Sequence, residues 1–548
     1  MHVIIPMSGT GKRFIDAGYT VPKPLIKVDG RPMIEHVVAL FPGEKKVTFI
    51  CNAQHLRETD LKGVLEACAP GCAIVEIPPH KKGPVYAVSL MFDRILDDEE
   101  VIVNYCDFSK YWEYRDFLKH TRDRGADGAV PAYRGFHPHM LGTTNYAFMR
   151  DRDQWMLEIR EKKPFTDDRT QEYASDGTYY FKRGDLVKKY FQQLMNEDVH
   201  VNGEYYVSMV YNLMERDGLA VSIYEIQHML QWGTPRDMEE YQEWSDYFRG
   251  LIEPVRNAAP QQRSINLIPL AGRGQRFVNE GYDKPKPLIE VSGKPMILQA
   301  AAQLPPAEKN IFVCLAEHLD AFPLDRELRS AYPDAKIVRL DAVTEGQACT
   351  CEKGLAQEDP EAPLLIGACD NGMLWDRDAY RALLDNDSVD AIAWSFRRHP
   401  SSERNPRMYG WLRVDEQGTV TGVSVKAPIS DDPYNDHAIV GTFFFRKARY
   451  FLEALQRMYQ RNIRVNNEFY VDSAVNELVA MGLTVKVFEV DKYVCWGTPQ
   501  DLRTFEYWQG FFHKCAWHPY RLESDQTAQQ DKMRELDIRY RSFAQRCR

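Results

Sequence analysis

The stretch that decides the fold occurs twice. Residues 5–34 read IPMSGTGKRFIDAGYTVPKPLIKVDGRPMI and residues 268–297 read IPLAGRGQRFVNEGYDKPKPLIEVSGKPMI, identical at 18 of 30 positions without a gap. The same offset of 263 carries Asp107 of VIVNYCD onto Asp370 of LLIGACD. One residue of drift then carries GTYYF at 177 onto GTFFF at 441, VNGEYYV at 201 onto VNNEFYV at 465, and WGTP at 232 onto WGTP at 496. A self-similar unit of about 250 residues is far longer than a solenoid repeat, so it is a duplicated domain. The sequence therefore divides into a first domain at 1–250, a polar linker at 251–264, a second domain at 265–512 and a helical tail at 513–548.

Within each copy short apolar runs (HVIIPM, KVTFIC, EVIVNYC) alternate with helical patterns such as LRETDLKGVLEAC. That rhythm predicts an α/β fold with a mixed, mainly parallel central sheet, in which ligands gather at the carboxyl ends of the strands. The two motifs SGTGKRF and NYCDF both follow directly on a strand.

Composition narrows the class. Hydrophobic residues are 44% and charged residues 27%, which excludes a disordered or collagen-like chain. The net charge of −10 argues against general affinity for nucleic acid. No apolar run is long enough to span a membrane, and the opening MHVIIPMSGTGKRF lacks the regions of a signal peptide. Eleven cysteines with no CxxC pair are expected as reduced thiols in a cytoplasmic protein.

The Gly-rich turn holds Gly9 and Gly11 in one copy and Gly272 and Gly274 in the other. Glycines after a strand let backbone N–H groups face a polyphosphate, although the same turn also serves purely structural ends. Neither a Walker A loop nor a dinucleotide fingerprint is completed. The recurring cations Arg13 and Lys23, matched by Arg276 and Lys286, sharpen the reading, because two cations tethered to one loop can neutralise a triphosphate and the charge developing at phosphorus. Lys23 and Lys286 each lie between two prolines, in a rigid segment. Asp107 and Asp370, at the ends of apolar strands, suit Mg²⁺ better than a helix-capping role. Tyr105, Trp112, Trp375 and Tyr409 are aromatic candidates for stacking on a base or for core packing.

The ordered set GxGxRF, PKPL, a strand-end Asp, a Lys, GTYYF and WGTP resembles the nucleotidyltransferases that join a nucleoside triphosphate to a sugar 1-phosphate, and the likeness covers both halves. The resemblance implies two tandem Rossmann-like domains of the GT-A type, NTP and sugar-phosphate substrates, Mg²⁺ as cofactor, and an activated precursor for polysaccharide synthesis as product. It assigns triphosphate contacts to Gly9, Gly11 and Arg13, the reacting phosphates to Lys23 and the metal to Asp107, with Gly272, Gly274, Arg276, Lys286 and Asp370 as the second set. Nucleotide-binding segments are implied at Gly83 and at Gly346 with Gln347. The acceptor phosphate is implied at Lys162, with Lys163 an equally fair match, and at Lys426. Gly177, Thr178 and Glu204, and Gly441, Thr442 and Glu468, complete the two acceptor sites; a helix-start role competes for each Glu.

The sequence also departs from that pattern. A second metal-binding Asp before the Gly-Thr of WGTP is replaced by Gln231 and Cys495, leaving Asp237 or Asp501 as substitutes. Val425 stands where Glu161 precedes the lysine in the first copy. Lys82 and Pro84 stand opposite Glu345 and Gln347, so the copies are expected to recognise different nucleotides or acceptors. Two alternatives stay open: one copy as a silent regulatory domain that binds a nucleotide sugar, and a glycosyltransferase, which the missing DxD motif disfavours. The residues leave homo-oligomerisation open.

Overall fold

A computed structural model describes residues 1–142, 145–254 and 261–541. The chain forms two units, one of Met1–Ser245 with Gly510–Pro519 and Ile538–Arg548, the other of Asp246–Gln509 with Tyr520–Asp537. The stretch read as a tail is thus shared between the units, and the strand Gln261–Leu270 begins inside the stretch read as a linker.

In the first unit His2–Met7 pairs in parallel with Lys46–Asn52 on one side and Val101–Asn104 on the other, and Ala73–Ile77 extends the parallel half. Thr178–Phe181 then runs antiparallel to Val101–Asn104 and leads into the mixed half of a ten-stranded sheet. After His2 the strand His2–Met7 is apolar throughout because both its faces are covered: Ile4 joins one core layer, Val3, Ile5 and Met7 the other. The second unit repeats the plan. Gln261–Leu270 lies between Ala307–Leu315 and Leu364–Ile366, all parallel, followed by the antiparallel His437–Phe445. Again Leu267 faces one core and Ile268 the other.

In each unit the strand bearing the Gly-rich turn neighbours the strand that leads to the aspartate. Adjacent parallel strands end side by side, so the duplicated motifs meet at one edge of each sheet. No helix among the described residues is long and apolar enough to cross a membrane. The ten cysteines among the described residues are all free thiols.

Candidate active site

The first turn closes because Gly11 adopts φ 66°, a left-handed conformation that starts the short helix Lys12–Asp16. Gly274 does the same at φ 63° before Gln275–Asn279. A second, antiparallel strand pair, Phe108–Tyr111 with His228–Gln231, carries WGTP back to the aspartate: Trp232 N–H donates to Asp107 O at 3.0 Å. Lys23, fixed by its flanking prolines, donates from Nζ to Asp107 Oδ2 at 2.6 Å and to Gly233 O at 3.2 Å. Residues 84 and 210 positions apart therefore converge on one ammonium group.

These groups line one side of a cavity of about 540 Å³ that also holds Gly9, Gly11, Arg13 and Gly83. Gly83 sits at φ 83°, and a Cβ there would lie 2.7 Å from the backbone N and O of Tyr205, so only glycine lets this loop lie against the Glu204 segment. The other side holds Lys162, Glu204 and Gly177 with Glu161, Tyr206, Asp176 and Tyr105. Lys162 has φ 58°, unusual for a lysine, which turns the chain at the end of the strand Trp155–Glu161. Its Nζ donates to Tyr206 OH at 2.7 Å, and Tyr206 OH donates to Glu204. Glu161 accepts from Ser208 Oγ at 2.7 Å, and burial pushes its carboxyl upward. Thr178 lies outside the cavity lining, as do Lys163, Asp237 and Trp112; its Oγ1 donates to buried Asn104 Oδ1 at 2.6 Å.

The second unit reproduces the lysine–aspartate arrangement. Lys286 donates to Asp370 Oδ2, and Trp496 N–H donates to Asp370 O at 2.8 Å. Burial opposes the Lys286 charge, but Asp370 beside it outweighs that and raises its pKa. Gly346, at φ 132°, lies against Phe469 as Gly83 lies against Tyr205. Lys426 has φ 61°; burial, with Arg276, lowers the pKa of its ammonium against the pull of Asp472, Glu468 and Asp370. Gly441 has φ 93°, and Thr442 is fully buried with no hydrogen-bond partner for its Oγ1 among the described residues.

The model of the MobA-like NTP transferase domain matches residues 3–169 and again residues 267–462. The chain belongs to this family. Each NTP transferase unit carries one match, and nucleotidyl transfer is the chemistry of the family. No curated protein matches the chain. Among solved structures it is similar to the nucleoside-diphosphate-sugar pyrophosphorylase from Vibrio cholerae RC9, at 21% identity over 44% of this chain and 98% of that one, with a TM-score of 0.36. It is also similar to the inositol-1-phosphate CTP transferase from T. maritima, at 15% identity over 44% and 94%, with a TM-score of 0.36.

Within the NTP transferase units the donor set suits Mg²⁺, which is commonly held by one or two carboxylates and completed by substrate phosphates and water. Asp107 reaches the cavity beside the Gly-rich turn. The substitute ligand Asp237 is already held by three donors, Gln231 Nε2 at 2.7 Å, Thr234 N–H at 2.8 Å and Thr234 Oγ1 at 2.6 Å. Asp501 is held likewise by Thr498 Oγ1 at 2.6 Å and by the Cys495 thiol. No cluster of three or more metal-ligating side chains occurs among the described residues.

Sequence reasoning missed several cavity residues. Tyr206 could have been found, since it recurs as Tyr470. Asp176 and His80 could not: neither recurs, and His80 enters only because its Nε2 lies 3.0 Å from Ser8 Oγ. Trp112 and Trp375 prove to be framework residues, donating from Nε1 to Leu40 O at 3.1 Å and to Gln303 O at 2.8 Å. Tyr409 is buried against Ser401, whereas Tyr105 lines the cavity.

Proposed function

We propose that each unit transfers a nucleoside monophosphate from an NTP to a sugar 1-phosphate or a similar phosphorylated small molecule, releasing pyrophosphate. The observation that carries this reading is the two-sided cavity: a Gly-rich turn with Arg13, Lys23 and Asp107 on one side, and Lys162 with carboxylates on the other. The backbone of the turn and Arg13 hold the triphosphate, and Asp107 is the residue that would hold Mg²⁺, with Asp370 in the second unit. When bound, the ion supplies charge neutralisation at the phosphates. Lys162, propped by Tyr206, positions the acceptor phosphate so that its oxygen attacks the α-phosphorus and pyrophosphate leaves on the Arg13 side. Lys23 stabilises the charge that develops between them. The acceptor phosphate is already an anion, so positioning and charge suffice and no protein base is required. Both units hold the same lysine–aspartate pair, which favours two active centres over one active and one regulatory unit. The product is an activated donor for a glycan-building transferase.

The test is pyrophosphate release by the full chain with each of four NTPs against a panel of sugar 1-phosphates. Asp107→Ala and Asp370→Ala are each expected to lower release by their own unit about 10²–10³-fold, the size seen when one charge-stabilising group is removed. A double variant that releases pyrophosphate at the parent rate would refute the proposal.

A further inference from the structure

Three positions around the acceptor lysine have changed together between the units. In the first, Glu161 precedes Lys162, faces Ala147 across the strand pair, and accepts from Ser208 on the helix Val207–Arg216. In the second, Val425 precedes Lys426, faces Gly410, and Asp472 stands at the Ser208 position on the helix Val471–Ala480.

The register of strand and helix is the same in both. Asn212 clamps Ile159, accepting from its N–H at 2.9 Å and donating to its O at 2.8 Å; Asn476 clamps Val423 in the same way at 2.7 and 3.0 Å. The lysines also match: Lys162 N–H donates to Tyr146 O at 2.8 Å and Lys426 N–H to Tyr409 O at 3.0 Å, each with a left-handed backbone. With the frame fixed, the helix side chain lies over the strand end in both units. Val425 packs with the core, so the strand no longer supplies a carboxylate. Gly410 supplies the room for one from the helix, since a Cβ on it would collide with Asp472 Oδ2. Among the described residues the Asp472 carboxylate has no side-chain hydrogen-bond donor, yet its charge acts on Lys426.

We propose that Asp472 is the acceptor-contacting carboxylate of the second unit, taking over from the helix the place that Glu161 fills from the strand, and that this exchange gives the two units different acceptors. Each acceptor pairs a phosphate on the lysine with a hydroxyl or amino donor on the carboxylate, but the carboxylate is carried by a strand in the first unit and by a helix in the second. This rests on the acceptor-site reading above.

The test uses the full chain carrying Lys23→Ala, which leaves the second unit to report release, with Lys162→Ala added where acceptor binding is measured so that the first unit does not contribute. Pyrophosphate release is followed with four NTPs and glucose 1-phosphate, mannose 1-phosphate, N-acetylglucosamine 1-phosphate and glycerol 3-phosphate, and acceptor binding is followed by calorimetry. Asp472→Asn, close to isosteric and without the charge, is expected to weaken the preferred acceptor at least about tenfold while the KM for NTP stays within about twofold. The triple exchange Gly410→Ala, Val425→Glu, Asp472→Ser is expected to move the acceptor ranking toward that of the first unit, measured in a Lys286→Ala chain. Unchanged acceptor affinity in Asp472→Asn, with release still dependent on Lys286, overturns the proposal and leaves the functional reading standing. Absence of both release and acceptor binding in the Lys23→Ala chain overturns the two together.

Discussion

Replacing Lys110 or Asp176 singly should damage the first unit far more than replacing both. Lys110 Nζ lies 2.6 Å from Asp176 Oδ2, and both side chains are 0% exposed. Nζ also donates to Thr178 Oγ1 at 2.7 Å and sits 3.5 Å from the centre of the Trp112 ring. Burial pushes Lys110 down to about 8 and Asp176 upward, and each charge is kept by the other. Removing one partner leaves an uncompensated buried charge, at a cost of about 3–5 kcal/mol. Replacing both by apolar groups of similar volume is often neutral or better. The second unit has already done so, with Met373 and Val440 at these places. Asp176 Oδ1 also accepts from Thr178 N–H at 2.8 Å, so the double variant should retain a cost of about 1 kcal/mol. Lys110→Met and Asp176→Val should therefore each cost about 3–5 kcal/mol, and together about 1. Native-state hydrogen exchange of the full chain, read at the strand Val101–Asn104 that pairs with Thr178–Phe181, measures this without requiring the two units to unfold together. Single variants that each cost under about 1 kcal/mol, with a double variant equal to their sum, would refute the desolvated pair.

Two further outcomes follow from local geometry. Gly346→Ala combines a φ of 132° with a Cβ placed 2.5 Å from the N and O of Phe469, so the loop must move at a cost of about 1–3 kcal/mol. In the Lys23→Ala chain its KM for NTP should rise about tenfold, and an unchanged KM would remove this loop from the nucleotide site. Burial raises the Asp472 carboxyl from 3.8 to about 6 against the pull of Lys426. A carboxyl raised by folding costs stability when ionised, fully above pH 6, and the cost fades as pH falls toward 4. The shift corresponds to about 3 kcal/mol at pH 7.5 and roughly half that at pH 5. The stability advantage of Asp472→Asn, followed by hydrogen exchange of the second unit, should accordingly shrink by roughly 1 kcal/mol between those two pH values.

The sequence by itself determined the duplication, the α/β class and the Gly-rich turn with its cations on one side of each proposed site. Those features rest on short-range chemistry. Apolar runs buried on both faces, Gly11 with Arg13, and Lys23 between two prolines can each be read within a few residues, and the second copy confirms what must be kept. Even the meeting of Lys23 with Asp107 could be anticipated, since adjacent parallel strands end side by side.

Only the tertiary structure assembled the side proposed for the acceptor. Glu161 and Ser208 are 47 residues apart, and Lys110 and Asp176 are 66 apart. Nothing in their own segments signals that they touch. The linear comparison registered the loss of a glutamate at Val425, but the carboxylate had moved to Asp472, on another element 47 residues further along the chain. A helix side chain and a strand side chain can fill the same place once an asparagine clamp has fixed their register, and that equivalence exists only in space.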